Sequence, residues 1–135
     1  LEIYKKLFSE NHLEYIWALY HLGNIYKDLR EYKKAKDLFE KCLIAYEQAY
    51  GKDHVETAQI YKNLGHVYLL EGQFDAAKSL ILTSLTILQK SNHIDQYTVF
   101  EILAELYLQK AVQERNKGNF QSSQLSEQKA YEYLK

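Results

Sequence analysis

Apolar residues in this chain recur at helical spacing. Leu13, Ile16, Leu19, Leu22, Gly23, Tyr26 and Leu29 follow the i, i+3, i+4, i+7 pattern of a helix with one buried stripe. After a short break at Arg30-Glu31, Tyr32, Ala35, Phe39, Cys42, Leu43 and Tyr46 lay out a second amphipathic helix. The two are expected to pair as a hairpin, helix A1 with helix B1. Val55, Ile60, Tyr61, Leu64, Gly65 and Tyr68 copy the first as A2. Gly72 opens the turn, and Phe74, Ala77, Leu80, Ile81, Leu85 and Leu88 copy the second as B2. The copies stand 42 residues apart: Gly23 returns as Gly65, Tyr26 as Tyr68, Ala35 as Ala77 and Leu43 as Leu85. A helical repeat of this period implies an all-α solenoid, whose units bury their apolar faces only against each other.

The linkers repeat as well. Asn11, Asp53 and Asn92 are each followed three residues later by an acid, Glu14, Glu56 and Asp95. That is capping-box spacing, so each is expected to cap the start of an A helix, an effect of about 1 kcal/mol. His12, His54 and His93 hold equivalent linker positions, where they are expected to serve the helix start. Tyr4 aligns with Tyr46, so residues 1–9 read as the end of a preceding B helix and the chain as an excised fragment. Repeat 1 is then 11–51, repeat 2 is 53–91 and repeat 3 is 92–135, all within one domain. The third unit departs from the pattern. Its linker comes three residues early and its turn glycine, Gly118, seven residues late. Helix A3 is expected to be longer by about 10 Å at 1.5 Å per residue. Phe120, Ser123, Leu125, Tyr131 and Leu134 make a weaker, capping B3.

Composition narrows the function classes. Formal net charge is −1, and the lysines of 27–41 are interleaved with Asp28, Glu31, Asp37 and Glu40, so no stripe suits nucleic acid. The single cysteine, Cys42, excludes an internal disulfide, fits a reducing, cytoplasmic setting, and is expected to be buried and inert. No apolar run approaches the roughly 20 residues that span a membrane. No nucleophile has a base at recognisable spacing and no glycine-rich phosphate loop is present, so neither catalysis nor a cofactor is expected. The histidines lack the i, i+4 spacing of a metal pair.

Leu19, Leu22, Gly23, Tyr26, Ala35, Phe39 and Cys42, with Tyr61, Leu64, Gly65, Tyr68, Ala77, Ile81 and Ser84, resemble the tetratricopeptide repeat pattern. Leu103, Ala104, Tyr107 and Phe120 fit it in unit three, with Ser123 in place of the alanine. The 42-residue period looks most like the kinesin light chain type. The resemblance implies a right-handed superhelix of antiparallel helical hairpins and a protein-interaction role. Gly23 and Gly65 are expected where helices A and B cross most closely, facing Ala35 and Ala77.

In stacked hairpins the A helices line the concave side. Positions there that do not repeat are the candidates for specificity: Trp17, Tyr20, His21, Asn24 and Lys27 in unit one, Gln59, Lys62, Asn63 and His66 in unit two, Glu101 and Glu105 in unit three. The resemblance implies that Asn24 and Asn63 hold a ligand backbone, since an amide donates and accepts at once. Bridging between neighbouring A helices is their alternative role. The face grades from aromatic through amide and basic to acidic. That suits an extended protein or peptide ligand with an apolar anchor near Trp17 and a basic residue near Glu101 and Glu105. The alternative is a structural segment of a larger protein, stacking or self-associating through its exposed ends.

Overall fold

The computed structural model describes the backbone of residues 2–134 and the side chains of residues 14–134. Six helices follow in order: α1 (Glu2–Asp28), α2 (Tyr32–Tyr50), α3 (Val55–Leu70), α4 (Phe74–Lys90), α5 (Gln96–Asn116) and α6 (Phe120–Leu134). They pair as α1/α2, α3/α4 and α5/α6, and each hairpin stacks on the next through α2 against α3 and α4 against α5. The 42-residue period is kept by the elements themselves: α1 and α3 end at Asp28 and Leu70, and α2 and α4 begin at Tyr32 and Phe74. Among the described residues α1 approaches α3 and α3 approaches α5, whereas α2 and α4, or α4 and α6, do not meet. The A helices therefore form the inner row of an α-solenoid.

Four helices close the same way. Glu31 N–H donates to Tyr26 O while Arg30 N–H donates to Lys27 O, and the pair recurs at Gln73/Gly72, His93/Asn92 and Asn119/Gly118. This closure needs a left-handed residue, supplied by Gly72 and Gly118 with φ of 81° and, without glycine, by Arg30 and Asn92 at 64° and 48°. Asn92 thus ends α4 and is not the cap of α5.

The caps expected from the linkers shift accordingly. His54 caps α3, its Nδ1 accepting Glu56 N–H at 3.0 Å, so Asp53 is not the cap. At α5 the first residue outside the helix is Asp95, whose own N–H is held by His93 Nδ1 at 3.1 Å. The linker histidines do serve the helix starts. The break expected between residues 9 and 13 is absent: α1 runs unbroken from Glu2 to Asp28. Gly51, which takes φ of 90° beyond α2, has Ser9 as its counterpart, and nothing at Asn11-His12 stops a helix on its own. The side chains of Asn11 and His12 lie outside the described residues. Helix α5 does run seven residues further than the repeat requires, but it starts later in its linker, so it exceeds α3 by five residues, 21 against 16.

The core is the seam between hairpins. Ile60, Leu64 and Val67 of α3 bury against Ala35, Phe39, Cys42 and Tyr46 of α2. Val99, Leu103 and Leu106 of α5 cluster with Ile81, Leu85 and Leu88 of α4. Within hairpins the glycines mark the close crossings. A Cβ on Gly65 would stand 2.6 Å from Ile81 Cγ1 and 3.2 Å from Ala77 O, and one on Gly23 would stand 2.8 Å from the Phe39 ring. A polar tie repeats beside them: Cys42 Sγ reaches Ile16 O at 3.5 Å, and Ser84 Oγ donates to Ala58 O at 2.8 Å. Burial holds the Cys42 thiol up at about 11, so it stays protonated.

Several apolar residues expected in the core are exposed. Leu22 and Leu29 lie on the side of α1 away from α2, and Phe120, Leu125, Tyr131 and Leu134 lie outward on α6. Helix α6 packs through Ser123, Ser126 and Ala130, with Tyr133 stacked between Tyr107 and Phe100. Among the described residues no hairpin covers the outer face of α6, and periodicity alone does not say which apolar stripe is covered.

Candidate functional site

The inner row carries one continuous polar network. Asn63, at 7% exposure, donates to Gln59 O at 2.9 Å and to the Tyr20 hydroxyl, while its Oδ1 accepts from Lys27 Nζ at 3.3 Å. Asn24 also hydrogen-bonds Tyr20. Lys27 Nζ lies 3.5 Å from His66 Nδ1, and His66 Nε2 lies 3.3 Å from Glu105, which in turn accepts from Gln109 at 3.1 Å. Gln59 donates to Asp95. Residues of α1, α3 and α5 are thereby tied across the concave face.

Electrostatics set the protonation along this line. Burial and then the Lys27 charge push the His66 pKa below its ordinary value, against the pull of Glu105. His66 is therefore neutral near pH 7. Its contact with Glu105 is a hydrogen bond from Nε2–H, not an ion pair, and its Nδ1 accepts from Lys27. Burial also lowers the pKa of Lys27 and of Lys62 and raises that of Tyr20. A chain donor–imidazole–carboxylate of this kind holds three helices in register, because each member satisfies the next in a partly dry setting.

Sequence-predicted site residues thus fall into two groups. Tyr20, Asn24, Lys27, Gln59, Asn63, His66 and Glu105 are brought together and spend their polar groups on each other. Asn63 in particular is a bridge between A helices rather than an open amide. Trp17, His21, Lys62 and Glu101 stay available. Trp17 is 58% exposed and meets the His21 ring edge-on at 3.9 Å between centroids. Lys62 is half-buried yet makes no hydrogen bond or ion pair among the described residues, and Glu101 is exposed. Gln109, a non-core position of the third A helix, joins the network through Glu105, and Asp95 belongs to it and was missed. In the sequence Asp95 reads as the acid of a capping box begun by Asn92, and only the fold brings it against Gln59. Away from this face, a cavity of about 450 Å³ is lined by Lys78, Tyr107, Lys110, Glu114, Ser126 and Lys129 and contains none of these residues.

Among the described residues no helix is long and apolar enough to cross a membrane. No curated protein matches the chain. The solved structure of BtubC (BKLC) from P. vanneervenii is similar at 23% identity with a TM-score of 0.67. The alignment covers 98% of this chain and 53% of that one, so this chain spans about half of its length. At that identity the likeness shows a common fold. The model of the family described as tetratricopeptide repeat matches residues 1–48 and 22–90, and repeats of this family generally mediate protein–protein interaction. With the 42-residue helical hairpins and the Gly23 and Gly65 crossings in place, the chain belongs to the tetratricopeptide repeat family.

Proposed function

We propose that the chain is a non-catalytic interaction module whose concave face takes an extended peptide segment or partner helix. The observation that carries this reading is Lys62: an ammonium held half-buried, its pKa lowered by burial against the weaker pull of Asp95, with no hydrogen bond or ion pair among the described residues. A desolvated, unpaired charge is costly and is relieved by an opposite charge. In the repeat register Lys62 corresponds to Tyr20 on α1, beside the open Trp17–His21 aromatic pair in sequence, and to Glu101 on α5. A ligand complementary to this row has an apolar side chain, then an acid, then a base. The network from Tyr20 to Glu105 serves as the rigid floor beneath it.

Display of random twelve-residue peptides against the intact chain tests this. Enriched peptides are expected to combine an aromatic or aliphatic residue with an acid, and to lose affinity about tenfold or more on Lys62→Ala and on Trp17→Ala, each with an unchanged melting curve. Enrichment indifferent to both substitutions would reject the concave face as the site. The alternative role, stacking through exposed ends, is favoured by a separate observation at one end only, the outer side of α1.

A further inference from the structure

Tyr68 and Tyr107 hold the same place in successive A helices, and a lysine of the preceding B helix lies over each ring. Lys36 stands 5.0 Å from the Tyr68 centroid, and Lys78, its copy, 5.7 Å from that of Tyr107. At the first seam the lysine is neutralised, Lys36 meeting Glu71 at 2.7 Å. At the second seam the position of Glu71 is taken by Lys110. Helix α5 runs past the point where α3 ends, so Lys110 lies on the helix, three residues beyond Tyr107 and on its face. Lys129 of α6 adds a third charge, 5.3 Å from the same Tyr107 centroid. Where the first seam has an ion pair, the second has three ammonium groups.

All three line one cavity of about 450 Å³. It lies on the outer row, between α4 and α6, which do not meet, with α5 as its floor. Lys78 and Lys110 are half-buried. None of the three forms an ion pair among the described residues, although Glu114 and Glu132 also line the cavity. Glu114 accepts from the Ser126 hydroxyl at 3.2 Å instead, and Glu132 is exposed. Like charges gathered in a partly desolvated cleft repel, and a bound anion relieves that cost. Ser122 and Gln128 add neutral donors, and the Tyr107 ring and the exposed Leu125 side chain give one apolar wall.

We infer that this cleft binds a phosphate monoester carried on a phosphorylated serine or threonine of a partner protein. Near pH 7 such a group has a charge of about −1.5 to −2 and three acceptor oxygens, enough to engage all three ammonium groups. A carboxylate brings a single charge. The apolar wall suits the carbon atoms that join the phosphate to its chain, which a free phosphate ion lacks. The cleft is on the opposite side from the concave face and does not rest on that face's ligand.

The probe is N-acetyl-O-phosphoserine amide, titrated into the intact chain and followed by amide NMR shifts. Saturable shifts confined to the neighbourhood of Tyr107, Lys110 and residues 122–129 are expected, with a Kd of about 1 mM. N-acetylaspartate amide should bind about tenfold more weakly, and inorganic phosphate about threefold more weakly. Lys78→Gln and Lys110→Glu should each weaken the phosphoserine probe about tenfold or more, while Lys36→Gln, at the neutralised seam, leaves it unchanged. Lys110→Glu restores the acid of the first seam opposite Lys78, so its melting temperature should also rise by about 2 °C, which separates lost charge from lost folding. Shifts that do not saturate by about 20 mM, or that ignore both substitutions, overturn the inference. Equal affinity for the aspartate amide overturns the phosphate, and equal affinity for inorganic phosphate overturns the phosphorylated side chain.

Discussion

Substituting Gly65 by alanine sets two known effects against each other at one atom. In an exposed helix interior the change stabilises by about 1 kcal/mol. Here the new Cβ would stand 2.6 Å from Ile81 Cγ1, 3.2 Å from Ala77 O and 3.2 Å from Leu80 Cβ. Ile81 Cγ1 is one bond from its Cβ on a fully buried side chain and cannot swing aside, so this contact carries the overpacking penalty, at the upper end of the usual range, about 3 kcal/mol. The net loss is then about 2 kcal/mol, or roughly 6–10 °C in Tm for a domain of this size. Ile81→Ala removes the nearest contact. In that background the same alanine meets only the two 3.2 Å contacts, and its effect should fall close to zero. A double-mutant cycle by urea melts at 25 °C should therefore give a coupling of about 2 kcal/mol. Gly23→Ala serves as the graded comparison. Its neighbours are three atoms of the Phe39 ring, a side chain that tilts, so it should lose less than Gly65→Ala. Additive behaviour of Gly65→Ala and Ile81→Ala, within about 0.5 kcal/mol, would refute the reading of Gly65 as the point of closest helix approach.

Two further outcomes follow from individual atoms. The Ser123 hydroxyl is buried with no hydrogen-bond partner among the described residues, at the position where Ala35 and Ala77 stand. Ser123→Ala should therefore stabilise by about 1 kcal/mol, read as a rise in the urea midpoint at constant m-value. His66 is neutral in the fold because burial and Lys27 hold its pKa below 6.5, its unfolded value. Below that pH the unfolded chain binds the extra proton first, so the stability contribution of His66 is present above pH 6.5 and is lost as pH falls through its lower folded value. Melts between pH 8 and pH 5 should show a decline that His66→Gln reduces, and parallel curves for the two proteins would count against the Lys27–His66–Glu105 chain.

The architecture was legible because packing enforces a repeat. Gly23 and Gly65, Ala35 and Ala77, and the leucines between them recur because each hairpin must present the same shape to the next. Boundaries were less legible. Asp53 and Asn92 carry cap-forming side chains, yet His54 caps α3, and Asn92 takes φ of 48° to close α4. Both residues satisfy either role locally, and the choice depends on where the preceding helix ends. Likewise Leu22 and Leu64 share one phase and one chemistry, yet Leu64 is buried and Leu22 is open, because among the described residues a helix lies over that face of α3 and none over that face of α1.

The sequence by itself determined the period, the hairpins, the glycine crossings and the set of non-repeating A-helix residues, all of which rest on local spacing and side-chain size. Only the tertiary structure divided that set. Asn63, His66 and Glu105 became the floor of the concave face, and Trp17, Lys62 and Glu101 were left open. The reason is distance between elements. Asn63 meets Tyr20, Lys27 meets His66 and His66 meets Glu105 across separations of 43, 39 and 39 residues, and no spacing rule within one helix reports such a contact.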